Sequence, residues 1–298
     1  MSETTWPAGD PETPRLHVLT ELLAEAEELD EPAKKIADAF GSAVQPGQFK
    51  DVLSGTWLGH ALHPLLTDAT IAFYLSASTL DLVGGEESQR AADKLIGAGL
   101  LSTLPTAVTG LNDWVDTTRS DEGVRRVGLV HAMANSAATM LYGASLLARR
   151  AGARRLGTLL GLGGLTAIGI GGHLGGHLTY SQGVGVDQTT FEEPPTEWTR
   201  VLAEAELPEG EATEADADGV PVFLTRQEGR VYALANRCCH RGGPLHKGEI
   251  EDGCVVCPWH KSAFRLEDGS VERGPAAYPQ PAFDVRLDGG EIFVRARA

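Results

Sequence analysis

The sequence predicts a multidomain chain. An acidic helical segment (residues 1–51) leads into an α-helical four-helix transmembrane bundle (52–186). A linker (187–196) and a small all-β domain (197–298) follow. Three observations predict this order. Charge is uneven: of 298 residues with net charge −16, residues 1–51 carry net −7, residues 52–186 net 0 and residues 187–298 net −9. The middle holds long apolar stretches, including two with no Asp, Glu, Lys or Arg. From Trp198 the pattern changes to short alternating runs divided by Gly and Asp-Gly turns.

Residues 1–13 read as a loose acidic tail with no secretory signal. Leu16, Leu19, Leu22, Leu23, Ala26 and Leu29 recur at helical spacing. Asp30, Glu31 and Pro32 mark a stop and a new start, and Ile36, Ala39 and Phe40 continue the stripe. A surface helical hairpin packed on the next domain is expected. A membrane-surface helix is disfavoured because the polar face is acidic.

Four apolar stretches follow: 58–83, 91–111 with Pro105 as a kink site, 127–148 and 156–186. A soluble bundle is the rival to a membrane bundle. The glycines of the fourth stretch favour the membrane. A solvated helix loses about 1 kcal/mol at each Gly relative to Ala, whereas bilayer helices use small residues to approach closely. Gly157/Gly161 and Gly172/Gly176 have the spacing of such a seam. Gly59-His60-Ala61-Leu62-His63-Pro64-Leu65-Leu66, with Leu80-Asp81-Leu82-Val83-Gly84 further on, resembles the opening of an uncharacterised four-helix bacterial membrane-domain family over about residues 50–186. The resemblance implies a multi-pass cell-membrane protein in contact with lipid and brings no chemistry.

In the β domain, Val220–Leu224, Arg230–Ala235, Ala282–Leu287 and Glu291–Val294 read as strands. Between them lie Cys238-Cys239-His240 and Cys257-Pro258-Trp259-His260, two loops each offering a thiolate and an imidazole. Structural zinc pairs normally hold two to four residues between ligands; here the first pair holds one. Adjacent ligands of that kind point readily at two different metals. A binuclear cluster with two Cys on one iron and two His on the other is the Rieske pattern. Val231-Tyr232-Ala233-Leu234, Arg241-Gly242-Gly243-Pro244-Leu245, Phe264 with Asp268-Gly269, and Gly274-Pro275-Ala276 extend the resemblance to the Rieske [2Fe–2S] family over 197–298. It implies that Cys238 and Cys257 hold one iron and His240 and His260 the other. Cys239 and Cys254 do not stand where respiratory Rieske proteins place a disulfide and are expected as buried thiols. Ser262 matches a position whose hydroxyl donates to cluster sulfur, and Phe264 stands where a Tyr would donate a second bond. The low to middle part of the Rieske potential range is therefore expected. Lys261 replaces a customary Gly.

Five of the nine histidines, His60, His63, His131, His173 and His177, lie in the middle segment, and alternating helices would bring all five into the membrane half nearest the β domain. The favoured reading is polar bonding across helices. The alternative is a second site there, haem b or a quinol pocket, with Asp113 and Asp116 handling protons. His17 and His246 are expected at the surface.

A chain this acidic is a poor binder of nucleic acid. No mononuclear iron site or other catalytic residues are expected. The leading function is one-electron transfer by a membrane-anchored iron–sulfur protein, an electron-transport oxidoreductase component whose partner is a redox protein or quinol. The alternatives are a ferredoxin-like donor to a separate oxygenase or reductase, with the helices as a tether, and a redox sensor. Arg90, Lys94, Arg149, Arg150, Arg154 and Arg155 against Lys50, Arg119, Arg125 and Arg126 point the Rieske domain outward. Cluster assembly before export points it to the cytoplasmic face, which is the expectation adopted.

Overall fold

Each apolar stretch closes into one helix. The computed structural model describes residues 15–117 and 122–297; the acidic tail and Arg119 lie outside them. Among the described residues seven α-helices come first: α1 (Arg15–Ala24), α2 (Asp30–Ala43), α3 (Gln48–Ser54), α4 (Leu62–Val83), α5 (Gln89–Thr117), α6 (Glu122–Arg150) and α7 (Arg154–Tyr180). Ten strands follow, from β1 (Thr199–Ala203) to β10 (Glu291–Ala296). The chain packs as two units: residues 1–43 with 63–184, and residues 44–62 with 185–298. Both units are discontinuous, where the sequence reading has continuous segments.

In the helical unit, Tyr74 of α4 stacks on Tyr142 of α6 at 4.0 Å. Ala77, Ile96, Ala138, Leu146 and Ile168 close the core around them. Hydroxyls bond across helices: Thr70 to Ser102 and Thr106, Tyr74 to Thr103, Ser78 to Tyr142. At one end, Arg149 and Arg154 engage Asp81 and Asp93, so each of α4 to α7 gives one charge to a single network. At the other end, Arg125 and Arg126 clasp Asp30, whose carboxyl their guanidinium groups hold well below the usual range. Helix α5 continues through Pro105.

One expectation is corrected here. The glycine seam starts at Gly157 and Gly161, but it continues at Gly164, Gly171 and Gly175, which face Tyr142, Asn135 and His131 of α6. Gly172 faces open space, because steps of three and four keep to one helix face and Gly172 falls one residue off it. Helix α1 turns three leucines of its stripe outward. Leu16, Leu19 and Leu22 are exposed at 59%, 56% and 57%, while Thr20 is buried. Buried Thr20 brings its Oγ1 to 3.5 Å from His173 Nε2, and the exposed Glu21 lies 4.0 Å from His177 Nε2.

The β unit holds three antiparallel sheets, ordered β1-β10-β9, β2-β3-β4 and β5-β6-β7-β8. The central sheet is β2 (Ala212–Ala217), β3 (Val220–Gln227) and β4 (Arg230–Ala235). Side chains alternate across it. Val222, Leu224, Val231, Ala233 and Ala235 pack on Ile292 and Val294 of the first sheet. Phe223 and Leu234, on the other face, pack on Val255, Phe264 and two of the cysteines. The third sheet, with β5 (Glu249–Glu251), β6 (Cys254–Val256), β7 (Ala263–Arg265) and β8 (Val271–Arg273), therefore carries the ligand motifs on a solid floor.

Candidate metal centre

The first ligand loop joins β4 to β5 and the second joins β6 to β7. Each is a tight turn closed across its own ligands. The Cys238 amide donates to Gly243 (2.9 Å) and the Gly242 amide to Cys238 (2.8 Å). Likewise the Cys257 amide donates to Ser262 (2.8 Å) and the Lys261 amide to Cys257 (3.1 Å). Gly242 has φ 75°, a left-handed conformation that Gly adopts without cost. Gly243 allows the loops to meet: a Cβ there would stand 2.9 Å from Cys257 Sγ and 3.1 Å from the Trp259 ring.

The four expected ligands come together as two pairs. Cys238 and Cys257 are buried with their sulfurs within mutual hydrogen-bonding reach. The His240 amide donates to the Cys238 sulfur, and the Trp259 and His260 amides donate to the Cys257 sulfur. The His240 and His260 rings stand edge to face, 5.1 Å between centroids. His260 is buried and His240 half-buried. The Cys239 side chain and then burial push the Cys238 thiol up; Cys238 and then burial push Cys257 up. Burial first, then His260, pushes His240 well below the ordinary imidazole range. Two thiols this close and dry resist ionising together unless a cation neutralises them. That is the environment an iron pair supplies. Among the described residues no three His, Cys, Asp or Glu side chains form a site for one metal ion. The arrangement of two thiols and two imidazoles in pairs fits a binuclear cluster.

Around the pairs, Cys239 and Cys254 are buried thiols without a disulfide, and the Cys239 thiol donates to the Tyr278 carbonyl at 3.3 Å. Ser262 is fully buried, and its Oγ accepts from the Ala276 amide at 3.0 Å. Phe264 lies in the core beside both ligand cysteines. Sequence reasoning missed Gln280, because a Gln 40 residues from the first motif has no ligand spacing to mark it. Its side chain accepts from the Cys239 amide and donates to the Ala235 and Arg237 carbonyls. His246, expected at the surface, is half-buried: its Nδ1 faces Asn236 and lies 3.0 Å from Glu214. Gln188 of the expected linker donates its amide to Cys239.

His60 is exposed in the β unit, its ring 6.1 Å from that of Tyr278. His63 Nδ1 donates to the Thr106 carbonyl of α5 at 3.0 Å, and His131 Nδ1 donates to Gly171 of α7 at 2.8 Å. His173 and His177 lie by Thr20 and Glu21, with the His17 ring 6.4 Å from that of His177. Asp116 is buried near the end of α5, and Asp113 accepts from Asn112. No finding supports haem among these groups.

Residues 197–284 match the Rieske [2Fe-2S] domain, and residues 59–188 match a predicted membrane protein family, DUF2231. Over 91 residues the chain is 36% identical to the 3-phenylpropionate/cinnamic acid dioxygenase ferredoxin subunit of Escherichia coli, covering 30% of this chain and 85% of that one. It is 33% identical to apoptosis-inducing factor 3 of Homo sapiens over 91 residues, covering 30% of this chain and only 15% of that protein's length. The ferredoxin of carbazole 1,9a-dioxygenase from Nocardioides aromaticivorans is 32% identical, covering 34% of this chain and 98% of that chain with a TM-score of 0.32. With two thiols and two imidazoles paired on adjoining loops and a ferredoxin relative matched over most of its length, the chain belongs to the Rieske [2Fe–2S] family through residues 197–284 and carries a DUF2231 domain beside it.

Proposed function

We propose that this protein is a membrane-anchored one-electron carrier that passes electrons to a separate redox protein. The cluster supplies a one-electron couple when bound. The chain's residues do the rest. Cys238 and Cys257 would hold one iron and His240 and His260 the other. Three backbone amides stabilise the thiolates, and the packed floor under the loops keeps water from the sulfurs. The observation that carries the reading is the pairing of two buried thiols beside two edge-to-face imidazoles. A ferredoxin relative matched over 85% of its length favours delivery to a partner protein over catalysis in this chain.

The helical unit is the anchor, spanning the membrane with α4 to α7. Two helical segments, 86–117 and 154–180, are long and apolar enough to cross a bilayer. Leu65, Leu75, Leu82, Leu101, Leu104, Met133, Met140, Leu147, Leu159 and Ile170 on the four helices are exposed, an apolar belt that water would not favour. The charged residues Asp81, Asp93, Arg149 and Arg154 neutralise one another. The Rieske domain lies on the cytoplasmic face in this reading.

The test uses the full chain. Membranes washed at high salt and alkaline pH retain it, and only detergent releases it. A single exposed thiol in Lys247→Cys is labelled by a membrane-impermeant maleimide after lysis and not before; the native cysteines are too buried to report. Detergent-purified protein accepts one electron per chain from an NAD(P)H-dependent reductase and returns it to a protein acceptor. Release by the wash overturns the anchor. Failure to accept an electron overturns the carrier.

A further inference from the structure

The chain between α2 and α4 falls largely outside both family matches, which begin at 59 and 197. Residues 44–62 nevertheless pack as part of the β unit. Their contacts there are specific. The Gly274 amide donates to Asp51 Oδ1 at 2.9 Å, and the Thr56 hydroxyl donates to the Ala276 carbonyl at 3.1 Å. Gly274 lies so close that a Cβ would collide with Thr56 Oγ1 and stand 2.9 Å from Asp51 Oδ1. Burial pushes the Asp51 carboxyl up while the Gly274 amide pulls it down, so a partly desolvated carboxylate serves this one backbone group.

The loop that receives these bonds packs against both ligand loops, with Ala276 in the same core as Cys238 and Cys257. The Ala276 amide donates to Ser262 Oγ at 3.0 Å, and the Ser262 carbonyl accepts from the Cys257 amide at 2.8 Å. Tyr278 receives the Cys239 thiol through its carbonyl and faces His60 through its ring. Gln280 ties the same loop to the first ligand loop. One bonded path therefore runs from Thr56 through Ala276 and Ser262 to the backbone of Cys257. The Ala276 amide occupies one lone pair of Ser262 Oγ, and the hydroxyl hydrogen is a separate donor.

We propose that residues 51–60 are a strap that completes the cluster-binding domain: Asp51 and Thr56 are positioning residues that pin the 274–276 loop, fix Ser262 through Ala276, and set the cluster's reduction potential from outside the Rieske fold. The proposal rests on the Rieske reading above. Donors to cluster sulfur raise the potential. Releasing the loop loosens Ser262 and lowers it.

The experiment uses full-length protein in detergent with Thr56→Val, Asp51→Asn, the double variant and Thr56→Ser. A redox titration followed by electron paramagnetic resonance reads the cluster. Hydrogen exchange of the 270–282 segment reads the loop with or without the cluster. At a fixed ambient potential, the oxidised-to-reduced ratio rises about threefold in Thr56→Val and further in the double variant. Exchange of the Gly274 and Ala276 amides accelerates in both, and Thr56→Ser stays at wild-type values because it keeps the hydroxyl. Loss of iron from Thr56→Val with retention in Thr56→Ser supports the strap as well. An unchanged or raised potential in a double variant that keeps its iron overturns it. So does fast exchange of the Gly274 and Ala276 amides in the wild-type chain. A wild-type chain with protected Gly274 and Ala276 amides but no signal on reduction overturns the Rieske reading, and with it the tuning of a potential, while leaving the pinning of the loop by Asp51 and Thr56 in place.

Discussion

Lys261 has φ 66°, in the left-handed region where a Cβ crowds the following carbonyl. It follows His260, its amide closes the second ligand loop on Cys257, and its carbonyl accepts from Arg273. The turn geometry therefore explains why a glycine is customary there, and Lys holds the turn at a cost. Lys261→Gly is expected to stabilise the β unit by about 0.5–1 kcal/mol, part of the relief being offset by the greater freedom of Gly in the unfolded chain. Denaturant unfolding followed by loss of visible cluster absorbance checks this. A fall in the midpoint would show that the Lys side chain makes a contact worth more than the strain. The side chain itself is exposed.

Helix–helix contacts carry the next scale. Gly171 sits where a Cβ would stand 2.6 Å from Asn135 Oδ1, while Gly172 has nothing within 4 Å. Gly171→Ala is expected to destabilise the helical unit. Gly172→Ala is expected to be neutral or to stabilise it by up to about 1 kcal/mol, through helix propensity alone. Thermal unfolding of the two variants in detergent separates a packed seam from a run of flexible residues. The ion network at the far end makes a stronger demand. Asp81 and Arg149 are buried, with side-chain exposures of 3% and 0%. Removing one partner leaves a charge without compensation, so Asp81→Asn is expected to cost about 3 kcal/mol. Replacing both with apolar residues of similar volume recovers much of that loss. Equal damage from the single and double changes, measured by the same thermal assay, would contradict the account. The orientation of α1 belongs to this scale too. Its leucines face outward while Thr20 lies buried beside His173.

Across the whole molecule, what the sequence revealed tracks how local the cause was. The pairing of Cys238 with Cys257 and of His240 with His260 is legible because they sit within two short motifs of close spacing. Arg230–Ala235 is a strand with the expected bounds because alternation and flanking glycine turns fix it locally. Charge-free stretches likewise mark α6 and α7. The strap, Gln280 and the continuation of the glycine seam were not legible. Asp51 and Thr56 act on residues more than 200 positions away. No short-range pattern encodes such a contact. Gly171 and Gly172 are chemically identical in sequence, and only the rotation of α7 against α6 distinguishes them.

The central claim is that one inorganic core is held unequally, by sulfur on one side and nitrogen on the other. Mössbauer spectroscopy of the purified full chain, combined with iron and acid-labile sulfide analysis, tests it most directly. The account predicts two irons and two sulfides per chain, with two distinct iron signals of which one takes the added electron on reduction. A zinc-loaded chain without sulfide, or two equivalent irons, would contradict it.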